Sequence, residues 1–139
     1  MGQTRVLLVE DNETDEALVR RAFQQAKLYV EIDVARDGAE ALDALERPGP
    51  RIPTLVILDL KLPKFSGHEV LSAIRLRKRT RHLPVVIFSS SGEEDDIRAA
   101  YDWGCNAYVQ KPVDAEEFIE AVGAIGRFWL CVNEELGGD

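Results

Sequence analysis

The sequence predicts an α/β fold, a doubly wound sheet of five parallel strands with five helices on its two faces, in three layers. Two observations carry that prediction. Short, continuous apolar runs rich in β-branched residues recur along the chain, as strands buried on both faces require. Between them lie stretches with apolar residues at helical spacing, most of them opened by a capping residue. Strict alternation of the two kinds favours parallel strands, because each crossover helix must pack back onto the sheet.

The first run is Val6–Val9 (VLLV). After Asn12, residues Leu18, Val19, Ala22, Phe23 and Ala26 define one helical face. Tyr29–Ala35 is different: Val30, Ile32 and Val34 alternate with Glu31 and Asp33, which predicts a more exposed edge strand. Asp37-x-x-Glu40 resembles a capping box and opens a short helix with Ala41, Leu42 and Leu45 inward. Arg47–Pro53, with three prolines and a glycine, reads as a loop. The run Leu55–Leu58 (LVIL) is followed by Ser66-x-x-Glu69 and a helix with Val70, Leu71 and Ile74 inward. Val85–Phe88 (VVIF) is followed by Ser91-x-x-Glu94, a helix carrying Ile97, Ala100 and Tyr101, and Gly104 as its C-terminal cap. After Ala107–Val109 (AYV), Asp114-x-x-Glu117 opens a last helix, Asp114–Leu130, with Phe118, Val122, Ile125 and Trp129 on one face. The tail Gly137–Asp139 is expected to fray.

Composition narrows the function. The chain has 139 residues, room for one domain of ordinary size, expected over residues 1–132 with a tail at 133–139. With 45% hydrophobic and 30% charged residues it can fill a core and wet its surface. A net charge of −8 disfavours general binding to nucleic acid or anionic membrane, which needs clustered cations. No run approaches the roughly 20 apolar residues of a bilayer span, and the first residues have no signal-peptide pattern. The two cysteines, Cys105 and Cys131, lack metal spacing and fit the reduced thiols of a cytoplasmic protein.

In an open parallel sheet, function collects beyond the C-terminal ends of the strands. The first run ends in Glu10 and Asp11, the third in Asp59, the fourth in Ser89, and the fifth, after Gln110, in Lys111. Crowded carboxylates repel one another and call for a cation, and a hard ion such as Mg²⁺ takes oxygen ligands of this kind. Asp59 is a potential nucleophile, since carboxylates form aspartyl-phosphate intermediates, and a phosphoryl group there would have Mg²⁺, Lys111 and Ser89 to neutralise its oxygens.

With those residues in order, the chain resembles the response-regulator receiver domains of bacterial two-component signalling. The motifs are LLVEDN at Leu7–Asn12, LVILDLKLPKFSG at Leu55–Gly67, LPVVIFSSS at Leu83–Ser91 and AYVQKP at Ala107–Pro112. The resemblance covers nearly the whole chain and implies the flavodoxin-like strand order 2-1-3-4-5, for which a chemotaxis member of this family is the standard illustration. It makes Asp59 the phosphorylated residue, accepting from a sensor histidine kinase. Glu10, Asp11 and Asp59 would bind Mg²⁺ together with the backbone carbonyl of Lys61. Lys111 would contact the phosphoryl group ahead of a cis peptide to Pro112, and Ser89 and Tyr108 would be the switch pair. Ser90 would leave room for the donor. Glu10 stands where many members have Asp, and Lys61 places a cation beside the site. The Arg47–Pro53 loop, LPKFSG and the late GRFWL are similar to the small response regulators paired with bacterial phytochromes, which are homodimers through the last helix.

Two features need weighing against simpler readings. Arg75, Arg77, Lys78, Arg79 and Arg81 form a basic run that reads better as a solvated helix end than as a nucleic-acid patch. Phe128 and Trp129 are adjacent, so at least one points away from the core, which favours a homodimer contact over a buried helix end. The function expected is a phospho-acceptor signalling protein rather than an enzyme. It would have no separate output domain and would act through protein contacts. Output, relay intermediate and phosphate sink remain open. A haloacid dehalogenase-type phosphatase would need a second Asp where Lys61 stands, and a flavodoxin would need a phosphate loop where EDNETDE stands.

Overall fold

The structure is a computed structural model and describes residues 4–47 and 52–136. The Pro48–Arg51 part of the expected loop and the expected frayed tail Gly137–Asp139 lie outside the described residues. Five strands alternate with five helices: β1 (Arg5–Val9), α1 (Glu13–Gln25), β2 (Glu31–Ala35), α2 (Gly38–Glu46), β3 (Leu55–Leu58), α3 (Gly67–Leu76), β4 (Val85–Ser89), α4 (Glu94–Asp102), β5 (Ala107–Gln110) and α5 (Ala115–Arg127). The sheet is parallel throughout, in the order β2-β1-β3-β4-β5, which puts β2 at an edge as its alternating pattern predicts. Among the described residues no helix is long and apolar enough to cross a membrane.

The pleat divides the core into two. Leu7, Val9, Val56, Leu58, Val85 and Ile87 face α2, α3 and α4, where Ala41, Leu45, Val70, Leu71, Ile74 and Ala100 meet them. Val6, Leu8, Leu55, Ile57, Val86 and Phe88 face α1 and α5 and pack on Val19, Ala22, Phe23, Phe118, Val122 and Ile125. Because the central strands are covered on both sides, their sequence is continuously apolar rather than alternating.

Local chemistry sets the helix starts. Asn12, Asp37, Ser66 and Asp114 each accept a backbone N–H from the first turn. At Ser66 the capping box is complete. At Asp37 it is displaced, for Glu40 accepts from the Arg36 N–H instead. The box expected at Ser91 does not form: α4 starts at Glu94 with Glu93 as its N-cap and no side-chain cap. The Ser91 oxygen accepts instead from the Glu93 N–H at 3.2 Å, one residue too early for the box, while its hydroxyl donates to the Asp96 carboxylate at 2.5 Å. Tyr101, expected on the inner face, is half exposed. Gly104 does close α4, at φ 97°, with its N–H on Tyr101 and that of Cys105 on Ala100.

The last helix departs from expectation after Arg127. Phe128–Val132 forms a wider π-helical turn closed by the Asn133 N–H on the Phe128 carbonyl at 2.7 Å. The basic run is also more than a solvated end. Arg75 is half-buried and donates to the carbonyls of Gly104, Arg81 and Leu83 and to Asn106 Oδ1. It braces the loops before β4 and β5, at the end of the sheet opposite the acidic rim. Arg77 pairs with Glu46, and Arg79 donates to the Arg47 carbonyl.

Candidate functional site

The strands deliver their terminal residues to one rim. Pairing of β1 with β3 sets Val9 beside Leu58, and the Asp59 N–H donates to the Val9 carbonyl at 3.1 Å. Asp59 therefore follows β3 next to Glu10, whose own N–H donates to Ala35 at the end of β2. Pairing of β4 with β5 sets Ser89 beside Gln110, and the Lys111 N–H donates to the Ser89 carbonyl at 2.7 Å. Gly67 lets α3 start against this backbone: a Cβ there would lie 2.3 Å from the Asp59 carbonyl oxygen.

Carboxylate oxygens of Glu10, Asp11 and Asp59 lie within 4.8 Å of one another. Glu10 and Asp59 are buried, while Asp11 is exposed. Lys111 Nζ reaches into the group and donates to Glu10 Oε1 at 2.8 Å, Asp15 Oδ2 at 2.8 Å and Asp59 Oδ2 at 3.0 Å. The other Asp59 oxygen accepts from the Lys61 N–H at 3.3 Å. Burial pushes the Glu10 carboxyl up to about 7, with the charge of Asp59 adding to it and the bond to Lys111 opposing it. Burial alone would lower the Lys111 pKa. Its bonds to Asp15 and Glu10 and the charge of Asp59 outweigh that and raise it.

This donor set fits a hard divalent cation. It consists of converging carboxylate oxygens with no soft ligand, and the fold already spends an ammonium to neutralise it. Glu10, Asp11 and Asp59 are the side chains that would hold such an ion.

Ser89 is fully buried, and its Oγ accepts from the Ser91 N–H at 3.3 Å. Tyr108 is half-buried and donates its hydroxyl to the Ser91 carbonyl at 2.7 Å, so both members of the expected switch pair touch the loop between β4 and α4. Ser90 is exposed beside them. The expected cis peptide before Pro112 is a correction: no peptide among the described residues is cis, and Lys111–Pro112 keeps the intrinsically preferred trans form. Phe128 is exposed and Trp129 half-buried, with their rings edge to face at 4.9 Å, away from the rim residues. Asp15 was missed by the sequence reading. It lies in the first turn of α1, three residues after the capping Asn12, and that position aims it at the rim where β1 ends.

Comparison with known proteins agrees with this geometry. The family model described as response regulator receiver domain matches residues 6–123. The chain is 42% identical, over 95% of its length and 87% of the relative's, to the probable methanogenesis regulatory protein FilR2 of Methanothrix harundinacea. It is 36% identical to response regulator Rcp1 of Synechocystis sp., over 90% of this chain and 88% of that protein. The Mn²⁺-bound form of Rcp1 superposes with a TM-score of 0.89, covering 96% of this chain and 99% of that one. The phosphorylated cyanobacterial phytochrome response regulator RcpA superposes with a TM-score of 0.90 at 35% identity, covering 96% of this chain and 98% of that one.

Proposed function

Because the chain belongs to the response-regulator receiver domain family, we propose that it is a phospho-acceptor switch in which Asp59 takes a phosphoryl group from a sensor histidine kinase. The observation that carries this reading is the Lys111 ammonium, 3.0 Å from Asp59 Oδ2 within a converging carboxylate group at the C-terminal ends of the strands. An oxygen of Asp59 attacks the phosphorus of a phosphohistidine. The new O–P bond forms as the P–N bond breaks, and the imidazole leaves and takes up a proton.

Each residue has a part in that step. Lys111 and the Lys61 N–H hold the plane of the Asp59 carboxylate, one on each oxygen. Lys111 then balances charge that develops on the phosphoryl oxygens. Glu10, Asp11, Asp59 and the Lys61 backbone carbonyl would hold Mg²⁺, which when bound would supply further charge neutralisation. Ser89 offers its hydroxyl to the product. Its movement, with that of Tyr108, biases the loop before α4 and changes the affinity of the α4–β5–α5 surface for a partner protein.

The similarity to RcpA supports a phytochrome-type kinase as donor. Residues 1–132 form the receiver domain with 133–139 as a tail. The protein works in the cytoplasm without contact to nucleic acid or membrane. Of the expected interface pair, the exposed Phe128 belongs to a homodimer contact made by the end of the last helix, while Trp129 packs back on the core.

Incubation with phosphorylated candidate kinases, read by intact mass, tests the assignment. The expected result is one phosphoryl adduct that requires Mg²⁺ and is absent from Asp59→Asn. An Asp59→Asn protein labelled to the same extent would sink it.

A further inference from the structure

We propose that Asp15 is the positioning residue for Lys111: it takes one of the three N–H bonds of the ammonium and so limits the hold of Lys111 on Glu10 and Asp59. This rests on the reading of Asp59 as phosphoryl acceptor. An ammonium has three donors and no acceptor, and here three carboxylates take all of them. Two of those carboxylates have another duty. Glu10 and Asp59 belong to the converging group that fits a divalent cation, and Asp59 is also the acceptor. Asp15 lies outside that group among the described residues. It is the partner Lys111 can keep while the oxygens of the other two are engaged elsewhere.

The fold places Asp15 for this. Asn12 Oδ1 accepts from the Asp15 N–H at 2.9 Å, so the cap that starts α1 also fixes the backbone from which Asp15 reaches Lys111. The Asp15 side chain is 23% exposed, against 3% for Glu10 and 9% for Asp59. Asp15 therefore approaches the ammonium from the solvent side and bonds it away from the floor of the site. Without Asp15, Lys111 has only Glu10 and Asp59 to bond. It then competes harder for the oxygens a cation needs, and it loses its fixed position beside the acceptor.

A double-mutant cycle tests this. Mn²⁺ binding is measured by calorimetry on the wild type, Asp15→Asn, Lys111→Met and the double variant, and labelling of Asp59 by acetyl phosphate is followed in the first two. Asp15→Asn is expected to weaken Mn²⁺ binding about tenfold and to slow labelling by a similar factor. Asp15→Glu, which keeps the charge and the acceptor, restores most of both. In the Lys111→Met background the Asp15→Asn change shrinks to less than about twofold. Asn12→Ala, which frees the Asp15 backbone but keeps its carboxylate, gives a smaller loss in the same direction. An equal Mn²⁺ loss in both backgrounds means that Asp15 acts by its charge alone, and it overturns the proposal. No loss in Asp15→Asn overturns it as well. A wild type that shows the Mn²⁺ coupling yet is never labelled at Asp59 upholds the tether and removes the phosphoryl reading instead.

Discussion

Glu10 carries the least exposed carboxylate at the rim, and that burial ties cation binding to pH. Its carboxyl is held up to about 7, so in neutral solution a cation must displace a proton that the fold retains. Mg²⁺ affinity should therefore climb with pH by up to about tenfold per unit below 7 and level off above it. Stability without the cation runs the other way. A carboxyl whose pKa is raised on folding contributes fully below its unfolded value of 4.5, and that contribution is lost as pH rises through about 7. Calorimetric Mg²⁺ titrations from about pH 5.5 to about 8 check this. Glu10→Gln should flatten the profile, and a flat wild-type profile would contradict the assignment. At this scale the sequence was informative wherever a residue closes a strand, as Ser89 does, or follows one directly, as Glu10, Asp59 and Lys111 do. Asp15 escaped because it arrives from a helix. Its place at the rim depends on where Asn12 starts α1 and how that helix leans on the sheet, and no run of apolar residues marks either.

At the scale of elements, periodicity located every strand and helix, because burial on both faces writes itself into the core strands as continuous apolar runs. What it missed were ends decided by competition between polar partners. Ser91-x-x-Glu94 has the spacing of a cap, yet the serine oxygen accepts from the nearer Glu93 N–H while its hydroxyl donates to Asp96, a pairing the spacing alone does not encode. The π turn at Phe128–Val132 is invisible for another reason: over five residues, α and π turns place apolar side chains too similarly to be told apart. The end of α1 makes a prediction. Its last turn closes with the Lys27 N–H on Gln24 and the Leu28 N–H on Phe23, which puts Lys27 at φ 59°. This left-handed position suits glycine, and an L side chain there costs about 1–2 kcal/mol. Lys27 is exposed, so little packing offsets the strain. Lys27→Gly is expected to stabilise the protein by about 0.5–1 kcal/mol after the added chain entropy, a rise in Tm of about 3 °C by calorimetry. A lower Tm would show that Lys27 makes a compensating contact.

For the molecule as a whole, the two ends of the sheet do different work. One end gathers the acidic rim. At the other, Arg75 locks the loops before β4 and β5 with four hydrogen bonds. The surface left to explain lies past α5, where the π turn presents Phe128 at 47% exposure and Val132 at 63%, with Leu136 beyond at 70%. Trp129 and Leu130 instead pack back on the α1–α5 side of the core, so the turn splits its apolar residues between inside and outside. Apolar side chains left in water beside a rigid helix end mark a contact surface, and a stable dimer needs about 800 Å² from each partner, more than these residues supply alone. The proposed homodimer contact would therefore extend along α5, whose inner face is already committed to Phe118, Val122 and Ile125. Sedimentation equilibrium should give the wild type twice the mass of the 15.6 kDa chain. Phe128→Glu combined with Val132→Glu should return it to the mass of one chain, because two buried like charges are added to each side of a symmetric contact. Acceptance of the phosphoryl group at Asp59 should survive in that variant, since the turn lies apart from the rim. A wild type that stays at the mass of one chain at about 100 μM would overturn the dimer and leave the apolar turn to a different protein partner.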